Sequence, residues 1–556
     1  MESKTYSSYL NLPPLAGLCS FEAAMSSGLS VETCVDRLKR FHYAFKRLQI
    51  ILTARIPSEP IYELKSIFSH HAYLCSEHVT ALRRRVGEMR EPPLGLDSVP
   101  HPALQIYFDE IQNAPSSYEL ILGVYSNAFP SVLASISDYQ RSTHPLADAP
   151  SLRVLRFAKI ELEEIVEIGH KIIEAIKTSN HIPQSNSDSH FGLGAPESLP
   201  ATPQEQAKIE SFSRGASNCS TVVFQNANCC QINNQSSTIC DWFDLLDRLL
   251  NQAGSLDGSK LTELSNISDK TQHPSTTQTP DLNLRLPTES GAAFQRKYSH
   301  TPYQFDPVPK RDSRFPDPYN MGVNAEVFLY DPSMPAPAKT LMMFYKRIRE
   351  IDVPEMMASI IVETPSKPWD YYRDMSRQLW DEARHAMMDE VGFVNLGIDW
   401  SKVMINFTWS LALNTQLSPL ERHAVLYFIE QGLMPKTGKR FEWEVSVASQ
   451  NPLAATFQDF DWADEVLHAR IGRDWYVKEF NDAKQAVDYG DSCWSKVLMG
   501  WAEWRNKGLT EHRNWWPDVY RQACQCWGLE PDPRILAYNT SYETVRADLK
   551  ELTGSA

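Results

Sequence analysis

The ten cysteines include no Cys-x-x-Cys pair. The close pairs Cys229-Cys230 and Cys524/Cys526 have no histidine at zinc-finger spacing. Neither a disulfide scaffold nor a zinc ribbon fits this pattern, and reduced thiols are expected. No apolar run approaches the roughly 18 residues that would span a bilayer. The N-terminal MESKTYSSYLNLPPLAGL lacks the basic start and apolar core of a signal peptide. No run of alternating strands and no flavin or nicotinamide fingerprint is evident. Positive charge is also short: 54 Lys and Arg face 69 Asp and Glu, a formal charge of −15. An acidic surface repels phosphate backbones. Arg83-Arg84-Arg85 is the one clear basic cluster and reads as a solvated helix face. The expectation is a soluble, cytoplasmic protein with neither nucleic acid nor membrane as partner.

The 556 residues are too many for one ordinary core, so more than one domain is expected. From Val31 to Lys177 apolar residues recur at three and four, as in Phe41-Phe45-Leu48-Leu52. That is helical spacing, in four segments: Pro57 and Pro60 separate the first two, and Pro115 and Pro130 are candidate breaks within the third, Leu104 to Tyr139. Residues 179–300 turn to Ser, Thr, Asn, Gln and Pro, the composition of a disordered linker. Within them Asp241–Asn251 is an amphipathic island able to dock back as a helix. The stretch from Tyr303 to Met334 is rich in proline and aromatics and reads as extended. From Pro335 the chain is helical and rich in tryptophan. The fold class expected is all-α: two helical bundles joined by a long low-complexity linker. The domains are 20–178, the linker 179–300, a second bundle at 335–485 and a helical extension at 486–556.

Two segments repeat. Asp381-Glu382-Ala383-Arg384-His385-Ala386 and Asp464-Glu465-Val466-Leu467-His468-Ala469 both read Asp-Glu-x-x-His-Ala. Positions i and i+3 share a helix face one turn apart, so one carboxylate and one imidazole can reach the same or adjacent metals. A dinuclear helical site takes one further Glu from each of two other helices. Hairpin register locates them. The first turn centres on Ser366, and Glu382 lies sixteen residues beyond it. The residue sixteen before it is Glu350, with Glu355 as runner-up because Pro354 can shift the register. The second turn centres on Gln450, and Glu465 lies fifteen beyond it. Fifteen before is Pro435, inside an interruption that runs to Gly438 and loosens the register; the nearest upstream carboxylate is Glu430, with Glu421 the weaker alternative.

With these residues the C-terminal half resembles the ferritin-like superfamily of carboxylate-bridged di-iron proteins. The resemblance implies a four-helix bundle holding two Fe or Mn ions. The candidate ligands are Glu350 or Glu355, Glu382, His385, Glu430, Glu465 and His468. In some oxygen-activating members, the Asp before the motif Glu contacts the opposite motif's His. Asp381 with His468, and Asp464 with His385, would match. The implied activity is oxidation of a small organic substrate with O2, electrons coming from a separate reductase or from the substrate itself. An iron-binding or interaction protein without turnover is the alternative. The N-terminal bundle carries only a degraded motif, Cys75-x-x-His78 with Glu77, and Glu167-x-x-His170. It reads as a degenerate relative serving as a scaffold or docking domain without metal.

Overall fold

The computed structural model describes residues 8–90, 95–178, 236–261, 296–315, 320, 322–403, 405, 408–508 and 513–541. Of the expected linker, 179–235 and 262–295 lie outside the described residues. Among the described residues the chain is all-helical, and its sole β feature is an isolated bridge between Val323 and Ser541.

In the N-terminal half, α1 (Val31–Arg55) and α2 (Tyr62–Met89) form a hairpin around the Pro57–Pro60 turn. Ser30 caps α1 by accepting the Thr33 N–H at 3.1 Å, satisfying a donor that the first turn leaves open. Then come α3 (Pro102–Gln112) and a continuous helix from Ser117 to Ser142, whose last part is α4 (Phe129–Ser142). Pro130 does not break this helix. The turn before it widens into a π-helical segment, Leu122–Ala128, which accommodates the proline's missing N–H. By length and composition Ser117–Ser142 is apolar enough to cross a membrane, but 67% of its apolar window is buried against neighbouring helices. The half closes with α5 (Ala149–Thr178). Of the basic cluster, Arg83 pairs with Asp97, Arg84 with Glu88, and Arg85 with Glu88 and Asp148.

The amphipathic island forms α6 (Ser236–Gln252), which packs on α3 and buries Trp242, Leu246 and Leu249 completely. Residues 296–315 then run back without regular structure as a strap. Glu110, wholly buried on α3, accepts the backbone N–H groups of Lys297, Tyr298 and Ser299. Arg314 further along forks onto Glu63.

The C-terminal half comprises α7 (Ala336–Ile348), α8 (Val353–Glu363), α9 (Trp369–Asn395), α10 (Thr408–Gln416), α11 (Pro419–Gly432), α12 (Lys439–Ala448), α13 (Pro452–Trp475), α14 (Ala483–Asn506) and α15 (Trp516–Trp527). Both turns used for register hold a left-handed residue, Ser366 at φ 69° and Gln450 at φ 57°. A 3-10 turn, Arg349–Asp352, separates α7 from α8. Pro354 explains it: its ring clashes with the carbonyl four residues back, that of Glu350. Helix α9 is central and packs on α2, α7, α8 and α13. Within 335–485 and beyond it, α14 packs on α11 and α15 on α7.

The sequence puts a boundary between the halves, yet helices from both sides enter one apolar cluster, with Phe45, Leu48 and Phe68 in the same core as Met357, Met375 and Leu379. Polar contacts join them too. Gln49 Nε2 donates to Ser376 Oγ at 3.1 Å, and the indole N–H of Trp369 donates to Thr80 Oγ1 at 2.9 Å. The strongest link is ionic. Glu355, fully buried on α8, meets Lys65 at 2.6 Å and Arg311 of the strap at 2.9 Å, and accepts from Ser410 at 2.7 Å. Replacing Glu355 by alanine removes the carboxylate that two buried cations share, a change that typically costs about 3–5 kcal/mol. Urea denaturation should show a loss of that order in Glu355→Ala. A loss under about 1 kcal/mol would mean that the junction does not depend on this pair.

Candidate metal centre

Four elements aim acidic and imidazole groups at one interior region. Helix α9 contributes Gln378, Glu382, His385 and Asp389, all buried on one face at three- and four-residue spacing. Helix α13 contributes Gln458, Asp461, Glu465 and His468 in the same way. Helix α11 supplies Glu430, and the 3-10 turn supplies Glu350.

These side chains form two adjoining clusters. Glu382, Glu430, Glu465 and His468 each offer a ligand atom, all within 4.8 Å of one another. Glu350, His385 and Asp461 do the same. His468 Nδ1 lies 3.1 Å from Glu382 Oε1, 3.3 Å from Glu465 Oε2 and 3.9 Å from Glu430 Oε1. His385 Nδ1 lies 3.4 Å from both Glu350 Oε2 and Asp461 Oδ1, and 3.8 Å from Glu382 Oε2. Glu382 therefore turns one oxygen to each imidazole and spans the clusters. The imidazole centroids are 5.8 Å apart.

The far nitrogens are held crosswise. His385 Nε2 is 3.2 Å from Asp464 Oδ2, and His468 Nε2 is 3.3 Å from Asp381 Oδ2. A carboxylate behind each ring fixes its orientation and leaves Nδ1 as the inward atom. Arg384 bonds both Asp381 and Asp464, and Arg377 pairs with both as well, so two guanidinium groups close the outer side.

The fit to a cation rests on atoms without hydrogen bonds. Buried polar atoms are nearly always paired. Here one oxygen of each of Glu350, Glu382, Glu430 and Glu465, and Nδ1 of both histidines, are buried and make no hydrogen bond, while Asp461 Oδ2 has the Lys439 ammonium 3.0 Å away. Those seven residues are the members of the two clusters. Charge agrees. The connected carboxylates are Glu350, Asp381, Glu382, Asp389, Glu430, Glu442, Asp461, Asp464 and Glu465; the cations among them are Lys346, Arg347, Arg377, Arg384 and Lys439. Nine negative charges against five positive leave an excess of four, with both imidazoles neutral. Hard carboxylate oxygens with imidazole nitrogen suit a divalent metal ion. The buried Glu, His and Asp clusters could thus hold a metal ion.

Protons partly fill the deficit when no ion is bound. Burial, and then the neighbouring Glu465, hold the Glu430 carboxyl well above the usual carboxylate range. Burial likewise lifts Asp389, against the pull of Arg347. Burial would lower His468, but Asp381, Glu382 and Glu465 outweigh it and raise it well above its ordinary value. Glu382 is driven the other way, down to about 2, because contacts with His385 and His468 overcome its burial.

The structure thus brings Glu350, Glu382, His385, Glu430, Glu465 and His468 together. It does not bring Glu355, which is committed to Lys65 and Arg311. The 3-10 turn places Glu350, not Glu355, toward His385. Sequence reasoning missed Asp461, Asp389, Arg347, Glu442 and Lys439. A signal existed: Asp461 lies four residues before Glu465, and Asp389 four after His385, on the motif faces. Lys439 and Asp461 also lie eleven residues either side of Gln450. In the N-terminal half His78 pairs with Glu161 at 2.8 Å, and Glu167 pairs with Lys171. A surface groove of about 380 Å³, lined by Gln140, Leu152, Arg156, Lys159, Ile160 and Glu163, shares no residue with either cluster.

Among protein-family models, curated proteins and solved structures, none matches this chain.

Ligation of Glu430 and His468 must expel the protons they hold. Adding Mn²⁺ to the metal-free protein near pH 7 should therefore release on the order of one proton or more per ion, and binding should weaken as pH falls. Calorimetry in buffers of different ionisation enthalpy reads this directly. Identical heats in all buffers would contradict the protonation described here.

Proposed function

We propose that this chain is a ferritin-like, carboxylate-bridged metalloprotein acting as a non-haem dinuclear oxidoreductase, which uses O2 to oxidise a small organic molecule. One observation carries the reading: six buried ligand-type atoms without hydrogen bonds converge from four helical elements, with Glu382 facing both imidazoles. In this reading the α7–α8 unit, α9, α11 and α13 are the four helices of the metal-binding bundle. Residues 20–178 serve as a scaffold or docking bundle.

A pair of iron or manganese ions, when bound, supplies the electrons that O2 activation needs. Glu350, Glu382, His385, Asp461, Glu430, Glu465 and His468 would hold them. The protein's own groups do the rest. Asp381 and Asp464 keep each imidazole aimed inward, and Arg377 and Arg384 brace those two carboxylates. Burial of Glu382, His385, Glu465 and His468 to 2% exposure or less excludes bulk water from the ligand atoms. Glu430 can hold or give up a proton at Oε2 inside that dry region.

A second reading, an iron-binding or interaction protein without substrate turnover, is favoured by one feature. The ligand atoms at the two clusters are themselves buried from solvent. The two readings part at turnover. Protein purified from iron-supplemented cells should carry about two iron or manganese ions per chain. His385→Ala and His468→Ala should each lower that content. Asp381→Asn and Asp464→Asn should weaken binding by roughly 10–100-fold at most. His170→Ala should change nothing. O2 uptake by the ferrous protein that rises with an oxidisable small molecule supports the oxidoreductase, whereas iron oxidation alone supports the second reading. Unchanged metal content in both C-terminal histidine variants would end the metal reading.

A further inference from the structure

The two clusters differ in one respect that their shared motif does not predict. Lys439, the first residue of α12, is wholly buried, and its ammonium sits 3.0 Å from Asp461 Oδ2 and 2.8 Å from Glu465 Oε1. Asp461 belongs to one cluster and Glu465 to the other. The two motif glutamates are thereby unequal. Glu382 presents its two oxygens to the two imidazoles. Glu465 presents Oε2 to His468, but Oε1 is taken by Lys439. The oxygen that would complete a second carboxylate span is paired with a fixed cation.

Asp461 is engaged twice, since its other oxygen accepts from Arg347, which also pairs with Glu350. The cluster of Glu350, His385 and Asp461 thus carries two carboxylates already faced by two fixed cations. The cluster of Glu382, Glu430, Glu465 and His468 carries three carboxylates, and only Glu465 among them meets a fixed cation. A divalent ion entering the first cluster must share Asp461 with an ammonium about 3 Å from its oxygen, where repulsion between cations is strong. No such neighbour faces Glu382 or Glu430 among their ion pairs.

The approach of Lys439 is built into the backbone. Gly438 precedes it, and a Cβ there would meet the Leu433 carbonyl oxygen at 2.1 Å. The Lys439 N–H in turn donates to that carbonyl at 3.1 Å. The loop between α11 and α12 is folded back tightly, and this delivers the lysine into the core.

The geometry points to Lys439 as the residue that makes the two sites unequal, a conclusion that rests on the metal reading above. The Glu382–Glu430–Glu465–His468 site takes a divalent ion first. The Glu350–His385–Asp461 site fills second and more weakly, because both of its carboxylates already face Arg347 or Lys439, whereas the ammonium meets only one of the three carboxylates of the other site.

The test is equilibrium dialysis of the full-length metal-free protein against graded free Mn²⁺, with bound metal counted per chain and thermal stability followed alongside. Wild type should show one tight ion and a second at least about tenfold weaker. Lys439→Met should tighten the second relative to the first, and the Mn²⁺-induced rise in Tm should grow. Lys439→Arg, which keeps the charge, should remain unequal. Asp461→Asn should lose the weak ion and keep the tight one; this variant decides the matter if Lys439→Met does not fold. Two equal sites in wild type, unaltered by Lys439→Met, would overturn the inequality while leaving the metal reading intact. So would loss of the tight ion in Asp461→Asn. No Mn²⁺ bound by wild type at all would overturn both.

Discussion

A surplus of buried carboxylates over fixed cations is the constraint around which the C-terminal half is organised. Each ion taken from water into protein costs several kcal/mol even after relaxation, and is retained only where partners and hydrogen bonds offset that cost. Nine connected carboxylates face five arginine and lysine groups. Much of the surrounding architecture serves this network. Arg347 and Lys439 reach inward from α7 and α12, Arg377 and Arg384 seal the outside from α9, and Gln378 Nε2 donates to Glu430 at 3.2 Å. What remains is Glu382 and Glu430 grouped around His468 with no fixed cation beside them, a place that protons hold in part and a metal ion could take.

The same helices carry the mechanical frame. Helix α9 presents Glu382 and His385 on one face and packs against α2 on another. His70 of α2 stacks on Trp380 at 4.3 Å between ring centroids, directly beside Asp381. Small residues set the close approaches: a Cβ on Gly472 would meet the Tyr427 ring at 2.3 Å, so α11 and α13 can draw near enough for Glu430 to meet Glu465 and His468. Glu355 ties α8 to Lys65 and to the strap, and so locks the segment that follows the 3-10 turn bearing Glu350. The N-terminal half is thereby part of the support for the cluster, through packing.

The all-helical class was legible because apolar residues recur at three and four along both halves. So was the juxtaposition of the two motifs, since an Asp-Glu-x-x-His-Ala repeat on two helices, each opening just after a Pro-marked turn, has few arrangements that bury both histidines. Equal distance from Ser366 led to Glu350, and the 3-10 turn forced by Pro354 changed the path only locally. Glu430 was less direct, because the helix preceding the Gln450 turn is the short α12 and not α11. The interruption from Pro435 to Gly438 is visible in the sequence, but the folded-back loop that carries Lys439 into the core is not. Arg347, Asp389 and Glu442 escaped for another reason. A charged residue at helical spacing usually faces solvent, and only three-dimensional packing shows which of them are turned inward. Apolar periodicity similarly marked the segments on either side of the low-complexity stretch. It does not report that Phe68 and Met375, more than 300 residues apart, share one core.

The most direct test is anomalous diffraction from crystals of the full chain grown with Mn²⁺, collected above and below the manganese edge. The account predicts a strong peak within ligand distance, about 2 Å, of Glu382, Glu430 and Glu465 oxygens and His468 Nδ1, with a weaker one among Glu350, His385 and Asp461. Crystals whose manganese lies elsewhere on the chain, with both clusters free of anomalous density, would contradict it.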